Sequence, residues 1–371
     1  MAVRHRKERN DCKVKATLLL ADGRKFSGKA KGKIKNSIGE VVFCTSMVGY
    51  QELLTTPAYK GQLVVLTFPL IGNYGVNKED ISREGIYTEG IIVREICDFP
   101  NNFRCEGEIS AYLEENDIVA LYDIDTRALT RHLRDNGTMN GKIIIGDFDE
   151  EKELDEIKAY EIKDAVSSVS VKENKTTEAE NSNGNVVVYD FGVTNSVLES
   201  LKRRNLSVTI VPYNTTCEEA LSFEPDGIIL SDGPGNPTEL TGVIDEIRKL
   251  MDKKIPMFGI ELGHQLMALA MGGKVEKLKY GHRGSSQPVK DLDSGRTHIT
   301  SQNHGYTVTQ INENDAVISH ININDDTVEG IIYKNLPAFS VQFHPEPIDV
   351  NKDTSYLYDK FVSLMGGNEN A

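Results

Sequence analysis

Apolar residues follow two rhythms along this chain, with a break between them. Up to about residue 147 they come in short runs at 17–20, 40–45, 62–68, 90–93 and 142–145, bounded by Gly, Asp or Pro. Such runs predict strands separated by turns. Helical spacing shows at 109–115 and at 126–135, the second opening behind Asp125 as an N-cap. Residues 1–150 therefore read as a β-rich α+β domain.

The rhythm is lost over 151–184. Acidic residues cluster at Asp149-Glu150-Glu151, and Ser, Thr, Lys, Glu and Asn fill 167–183. This composition predicts a linker or a partly ordered connection. From 185 to 371 strand and helix alternate, with strands at 186–189, 208–211, 227–230 and 257–260 and helices at 195–204, 242–251 and 266–270. Repeated units of this kind predict an α/β domain with a mostly parallel sheet flanked by helices. Its functional loops are expected at the carboxyl ends of the strands.

Composition narrows the function. At 371 residues, with 39% hydrophobic and 26% charged residues, the chain suits two or three globular domains. A net charge of −14 argues against sequence-independent nucleic-acid binding, which needs clustered cations. No apolar run approaches a membrane span, so no membrane partner is expected. The basic start (Arg4, Arg6, Lys7, Arg9, Lys13, Lys15) lacks an apolar core after it, which argues against a secretory signal and for a solvated terminus. Five scattered cysteines, Cys12, Cys44, Cys97, Cys105 and Cys217, form no CxxC pair and fit a reducing, cytoplasmic location.

Three segments of the second half carry candidate chemistry. The run Pro256-Met257-Phe258-Gly259-Ile260-Glu261-Leu262-Gly263-His264-Gln265 passes from a strand through small residues into a helix. This is nucleophile-elbow architecture, with Gly259 and Gly263 leaving room for the tight turn. Its tip should hold Cys or Ser, yet here it holds Glu261. Gly233-Pro234-Gly235 follows a strand and lets backbone approach a ligand, although an ordinary tight turn explains it as well. The third segment, Ser340 to Glu346, places His344 and Glu346 two residues apart, on one face of an extended run. A His beside an acid is the base-and-orienter half of a triad, though most such pairs are surface or core residues. There is no His-Glu-x-x-His, Walker loop or dinucleotide fingerprint, so no metal and no cofactor is expected in this chain.

In this order the three segments resemble the class I, triad-type glutamine amidotransferases. The likeness extends to Cys44 through Glu52, Leu66 through Gly75, Asp123 through Arg131 and Ser301 through Tyr306, which are similar to the carbamoyl phosphate synthetase small-subunit family. A flavodoxin-like domain with no catalytic past would not explain why the elbow, the Gly-Pro-Gly turn and the His344–Glu346 strand end coexist. The resemblance implies an elbow thiol that attacks L-glutamine, forms a γ-glutamyl thioester and releases ammonia. His344 matches the base, Glu346 its orienter, and Gly233 and Leu262 the oxyanion-hole positions. Ser46, Gly235, Gln265, Asn303, Gly305 and Tyr306 match substrate-binding positions, with Ser46 reaching in from the other domain. The implied partner is the large subunit, which consumes bicarbonate and ATP with Mg or Mn and serves arginine or pyrimidine biosynthesis.

Glu261 departs from that pattern. A carboxylate is a far poorer acyl-transfer nucleophile than a thiolate, and losing the nucleophile of a serine protease costs on the order of a million-fold in turnover. Glu261 is expected to fill the oxyanion's place, bonded by the oxyanion-hole donors, and to pair with His344 as imidazolium. A milder departure is Thr194, where the family usually has Lys. Three readings stay open at this point. The chain is a small subunit with an impaired glutaminase step, an engineered or mis-sequenced variant of an active enzyme, or a non-catalytic glutamine-binding or scaffolding subunit of an ammonia-dependent synthetase.

Overall fold

The computed structural model describes residues 14–346 and 353–366. Most of the basic start, Cys12 and the carboxyl end lie outside the described residues.

Seven strands close into a barrel in the order Val14–Leu20, Lys25–Gly32, Val119–Tyr122, Gly90–Ile92, Gln62–Leu66, Ser37–Cys44 and Met139–Ile145. Successive residues of a strand point to opposite faces. Leu63 and Val65 accordingly join a core with Leu129 and Leu133 of the helix Thr126–Asn136. Val64 and Leu66 join another with Leu53 of Tyr50–Leu54 and Ile109 and Leu113 of Ile109–Glu115. All five positions of Gln62–Leu66 are buried, which is why Leu63 to Leu66 read as an unbroken apolar run. Asp125 caps the helix after it by accepting the Ala128 N–H at 2.9 Å.

The second half is built on a ten-stranded mixed sheet. Its parallel part runs Ser207–Pro212, Asn185–Asp190, Gly227–Leu230, Met257–Ile260, Ala338–Val341. Helices cover both faces of it. Val187 and Tyr189 face Ile247 and Leu250 of the helix Thr241–Asp252, while Val186 and Val188 share a core with Leu201 and Phe361. Beyond Ala338–Val341 the sheet turns antiparallel through Val328–Tyr333, Thr297–Gln310, Lys274–Asp291 and Ala316–Asn322.

The connection over 151–184, expected as a linker or a partly ordered connection, carries regular structure. Asp149 caps the helix Glu150–Ala159, which packs on the barrel through Ile157 and Leu154. A short helix, Ala165–Val169, and the strand Lys175–Thr177 follow, the strand pairing antiparallel with Ser207–Pro212. The order was hidden because Ile157 is the one fully buried side chain of the first helix and all three residues of the strand are exposed.

The halves meet along a polar seam. The Thr45 N–H donates to the Arg283 carbonyl at 3.1 Å, and the Thr138 N–H to the Lys279 carbonyl at 2.9 Å. Lys277 Nζ lies 2.6 Å from Glu40 Oε1. These contacts lay the Lys274–Asp291 strand against the barrel and bring Ser46 toward the elbow.

Candidate active site

The elbow forms where the spacing predicts it. Met257–Ile260 ends, Glu261 adopts φ 49° and ψ −100°, and the helix Leu262–Ala270 begins. This is a strained conformation for a residue with a side chain, and its surroundings must hold it. The Glu261 N–H donates to the Val341 carbonyl at 2.9 Å, and the Gly263 N–H to the Ser231 carbonyl at 3.1 Å. His264 Nδ1 lies 2.8 Å from Ser340 Oγ, tying the helix to the neighbouring strand. A Cβ on Gly263 would stand 2.2 Å from the Leu230 carbonyl oxygen, and one on Gly259 2.6 Å from Met267 Sδ. Both glycines are therefore required by close packing.

His344 and Glu346 come together as expected, but past the end of the strand Ala338–Val341. The His344 N–H donates to the Ser301 carbonyl at 2.9 Å, and its Nδ1 lies 3.4 Å from Glu346 Oε2. The other oxygen of Glu346 accepts a short hydrogen bond from the Tyr358 hydroxyl. On its far side, His344 Nε2 lies 3.8 Å from Glu261 Oε2. The imidazole thus stands between the Glu346 carboxylate and a second carboxylate at the elbow tip.

One expectation needs correcting. The Glu261 carboxylate does not take its hydrogen bond from the oxyanion-hole positions Gly233 and Leu262. Oε1 accepts the Asn303 N–H at 3.1 Å, and Oε2 has no hydrogen-bond partner. The reason is length, because a Glu side chain overshoots the N–H groups of its own turn and reaches the Thr297–Gln310 strand.

The remaining predicted residues border two cavities. A cavity of about 550 Å³ is lined by Gly233, Gly235, Glu261, Leu262, Gln265, Asn303, Gly305 and Tyr306, with Glu40, Ala58 and Gln62 from the barrel. A smaller one of about 100 Å³ holds Ser46 and His344, with Asn303 common to both. Gln265 is fixed by its amide, which donates to the Tyr306 carbonyl at 3.0 Å. Cys44, buried at the end of the strand Ser37–Cys44, also lines the smaller cavity. Thr194 is buried, with its hydroxyl 2.9 Å from Ser196 Oγ.

Asp232 escaped the sequence reading. It follows the strand Gly227–Leu230, is fully buried, and neither carboxylate oxygen has a hydrogen-bond partner. Its only sequence signal was an acid at a strand end beside Gly233. Burial, with the charge of Glu346 nearby, pushes its pKa up to about 7 despite His344. Burial and Asp232 likewise push Glu261 up to about 8 against the pull of His344. Burial opposes the charge on His344, but Glu261, Glu346 and Asp232 outweigh it and raise its pKa to about 10. The three groups share their protons: each carboxylate holds one more readily than an exposed acid does, and His344 more readily than a free imidazole.

Among the described residues, two groups have the donor types of a metal site: Asp232, Glu261 and His344, and separately His282, His304 and Glu329. The second group is knitted by Gln302, whose Oε1 lies 3.0 Å from both imidazoles and whose Nε2 donates to Glu329 at 2.9 Å. Its donors are already engaged.

Comparison with known proteins supports the same two halves. The family model described as "Carbamoyl-phosphate synthase small chain, CPSase domain" matches residues 18–143, and "Glutamine amidotransferase class-I" matches 187–364. The carbamoyl phosphate synthase small chain of Clostridium perfringens is 49% identical, over 94% of this chain and 99% of its own length. The pyrimidine-specific small chain of Bacillus subtilis is 44% identical over 95% of this chain and 96% of its own. The small chain of Archaeoglobus fulgidus is 45% identical over 95% and 99%. With both domains matched and relatives aligned nearly end to end, this chain belongs to the carbamoyl phosphate synthase small chain family.

Proposed function

We propose that the chain is the glutamine amidotransferase-type small subunit of a carbamoyl phosphate synthase, and that Glu261 disables its own glutaminase step. The family role is hydrolysis of glutamine to glutamate and ammonia, with ammonia passed to a large subunit. That partner would hold the ATP and the Mg or Mn, in a cytoplasmic heterodimer. The name of the Bacillus subtilis relative favours pyrimidine supply as one fate of the product.

One observation carries the impairment. A buried carboxylate stands at the strained elbow tip, 3.8 Å from the imidazole that would activate a thiol. Attack by this carboxylate on an amide would give a mixed anhydride rather than a thioester, and the raised pKa values of Glu261 and His344 keep protons on the site. The cavity itself is retained, with Gln265, Asn303, Gly305 and Tyr306 in its wall. That favours, as a second reading, a subunit that still binds glutamine or supports its partner.

The test is ammonia release from glutamine by the purified chain, with and without its large subunit. No release is expected, while the complex still makes carbamoyl phosphate from added ammonia. Glutamine-dependent turnover would overturn the proposal.

A further inference from the structure

Three donors converge at the elbow from the ends of three neighbouring strands. Asp232 follows Gly227–Leu230, Glu261 follows Met257–Ile260, and His344 follows Ala338–Val341, strands paired side by side in the sheet. One donor atom from each lies within 4.8 Å of the others, and all three residues are buried. Both oxygens of Asp232 and Oε2 of Glu261 lack a hydrogen-bond partner. A buried carboxylate oxygen left without a donor is costly, so unused acceptors gathered on one point favour a cation, and a metal ion bound there would displace the protons that Asp232, Glu261 and His344 share.

His344 stands between two carboxylates, although its 3.4 Å contact with Glu346 is not a hydrogen bond. Nε2 faces Glu261, and Nδ1 faces Glu346, whose other oxygen is held by the Tyr358 hydroxyl. A histidine that binds a metal ordinarily sends its second nitrogen to such a carboxylate, which fixes both tautomer and ring orientation.

We propose that Asp232, Glu261 and Nε2 of His344 bind one divalent transition-metal ion of the zinc or manganese class. One imidazole and two carboxylates suit such ions better than soft copper(I), and give too few oxygens for calcium. Zinc held at about 2.0–2.1 Å sets its donors roughly 3.4 Å apart, so the side chains close inward on binding. Of the three ligands, Glu261 lines the larger cavity and His344 the smaller one. Sequence reading expected no metal because these ligands share no local spacing. The site goes beyond the function proposed above and does not depend on whether glutamine enters.

The test uses the full chain, stripped with a chelator and titrated with Co²⁺ by visible absorption and with Zn²⁺ by calorimetry. One equivalent of each should bind, and Zn²⁺ should raise the Tm. Asp232→Asn and Glu261→Gln keep side-chain volume and should each abolish saturable binding, with circular dichroism confirming the fold. Glu346→Gln should weaken affinity about 10- to 100-fold. Absence of saturable binding to the unmodified chain would overturn the proposal, as would one-equivalent binding retained by both carboxamide variants. No step reads glutamine turnover, so the outcome is independent of the glutaminase question.

Discussion

Arg83 of the first half grips Asp190 of the second with both prongs of its guanidinium, Nη1 to Oδ1 and Nη2 to Oδ2 each at 2.9 Å. Asp190 is fully buried and also accepts the N–H groups of Gly192, Val193 and Val171. Removing the cation strands a buried charge, so Arg83→Met should cost about 3 kcal/mol in urea unfolding. Adding Asp190→Asn to that variant should recover part of the loss, because the unpaired charge goes with it. Equal stability of Arg83→Met and the parent chain would contradict the clamp.

Glu261→Cys returns a thiol to the elbow tip, on the side of His344 opposite Glu346. In complex with the large subunit, this variant should release ammonia from glutamine, with a gain on the order of the factor a lost nucleophile costs, up to a million-fold. A silent variant would show that the pocket has drifted in more than this one residue, favouring the scaffolding role.

Gly263→Ala should destabilise the elbow by about 1–3 kcal/mol, because its methyl carbon meets the Leu230 carbonyl oxygen at 2.2 Å. The clash is with main chain, which cannot swing aside as a flexible side chain can. Thermal unfolding is the readout, and an unchanged Tm would refute the packing argument. Gly242→Ala is the control, since nothing lies within 4 Å of a Cβ there.

Stability should fall between about pH 6.5 and pH 9 through His282. Its Nε2 lies 2.8 Å from Asp325 and its Nδ1 3.5 Å from Glu329. Burial opposes its charge, but these carboxylates outweigh that and push its pKa up to about 9. A histidine pKa raised by folding means that the protonated form is the stabilised one. The contribution is complete below the unfolded value of about 6.5, and is lost as pH rises through about 9; it amounts to about 3 kcal/mol at most. Asp325→Asn should flatten this slope in urea titrations at successive pH values, and an unchanged slope would count against it.

Where burial writes itself into sequence, the fold was legible. Gly227–Leu230 and Met257–Ile260 are buried at every position and bounded by Gly or Pro, so each read as a strand with its observed limits. Lys25–Gly32 went unread because only Phe26 and Ala30 in it are buried. The long strand Lys274–Asp291 was hidden for another reason, since register shifts between Lys277 and His282 and between Gly284 and Gln287 break its alternation. The elbow and the His344–Glu346 pair were legible because each is local. Asp232 was not, since its significance comes from Glu261 and His344, which only the pairing of three strands brings near.

The strand Lys175–Thr177 is short, polar and exposed, and it pairs along the outer side of Ser207–Pro212. That strand carries the β-branched run Val208, Thr209, Ile210, Val211. Left bare, such an edge would present open main-chain groups as a template for a second molecule. Three lysine- and threonine-bearing residues thus serve as a selvedge, keeping a ten-stranded sheet from growing into its neighbours in a crowded cell.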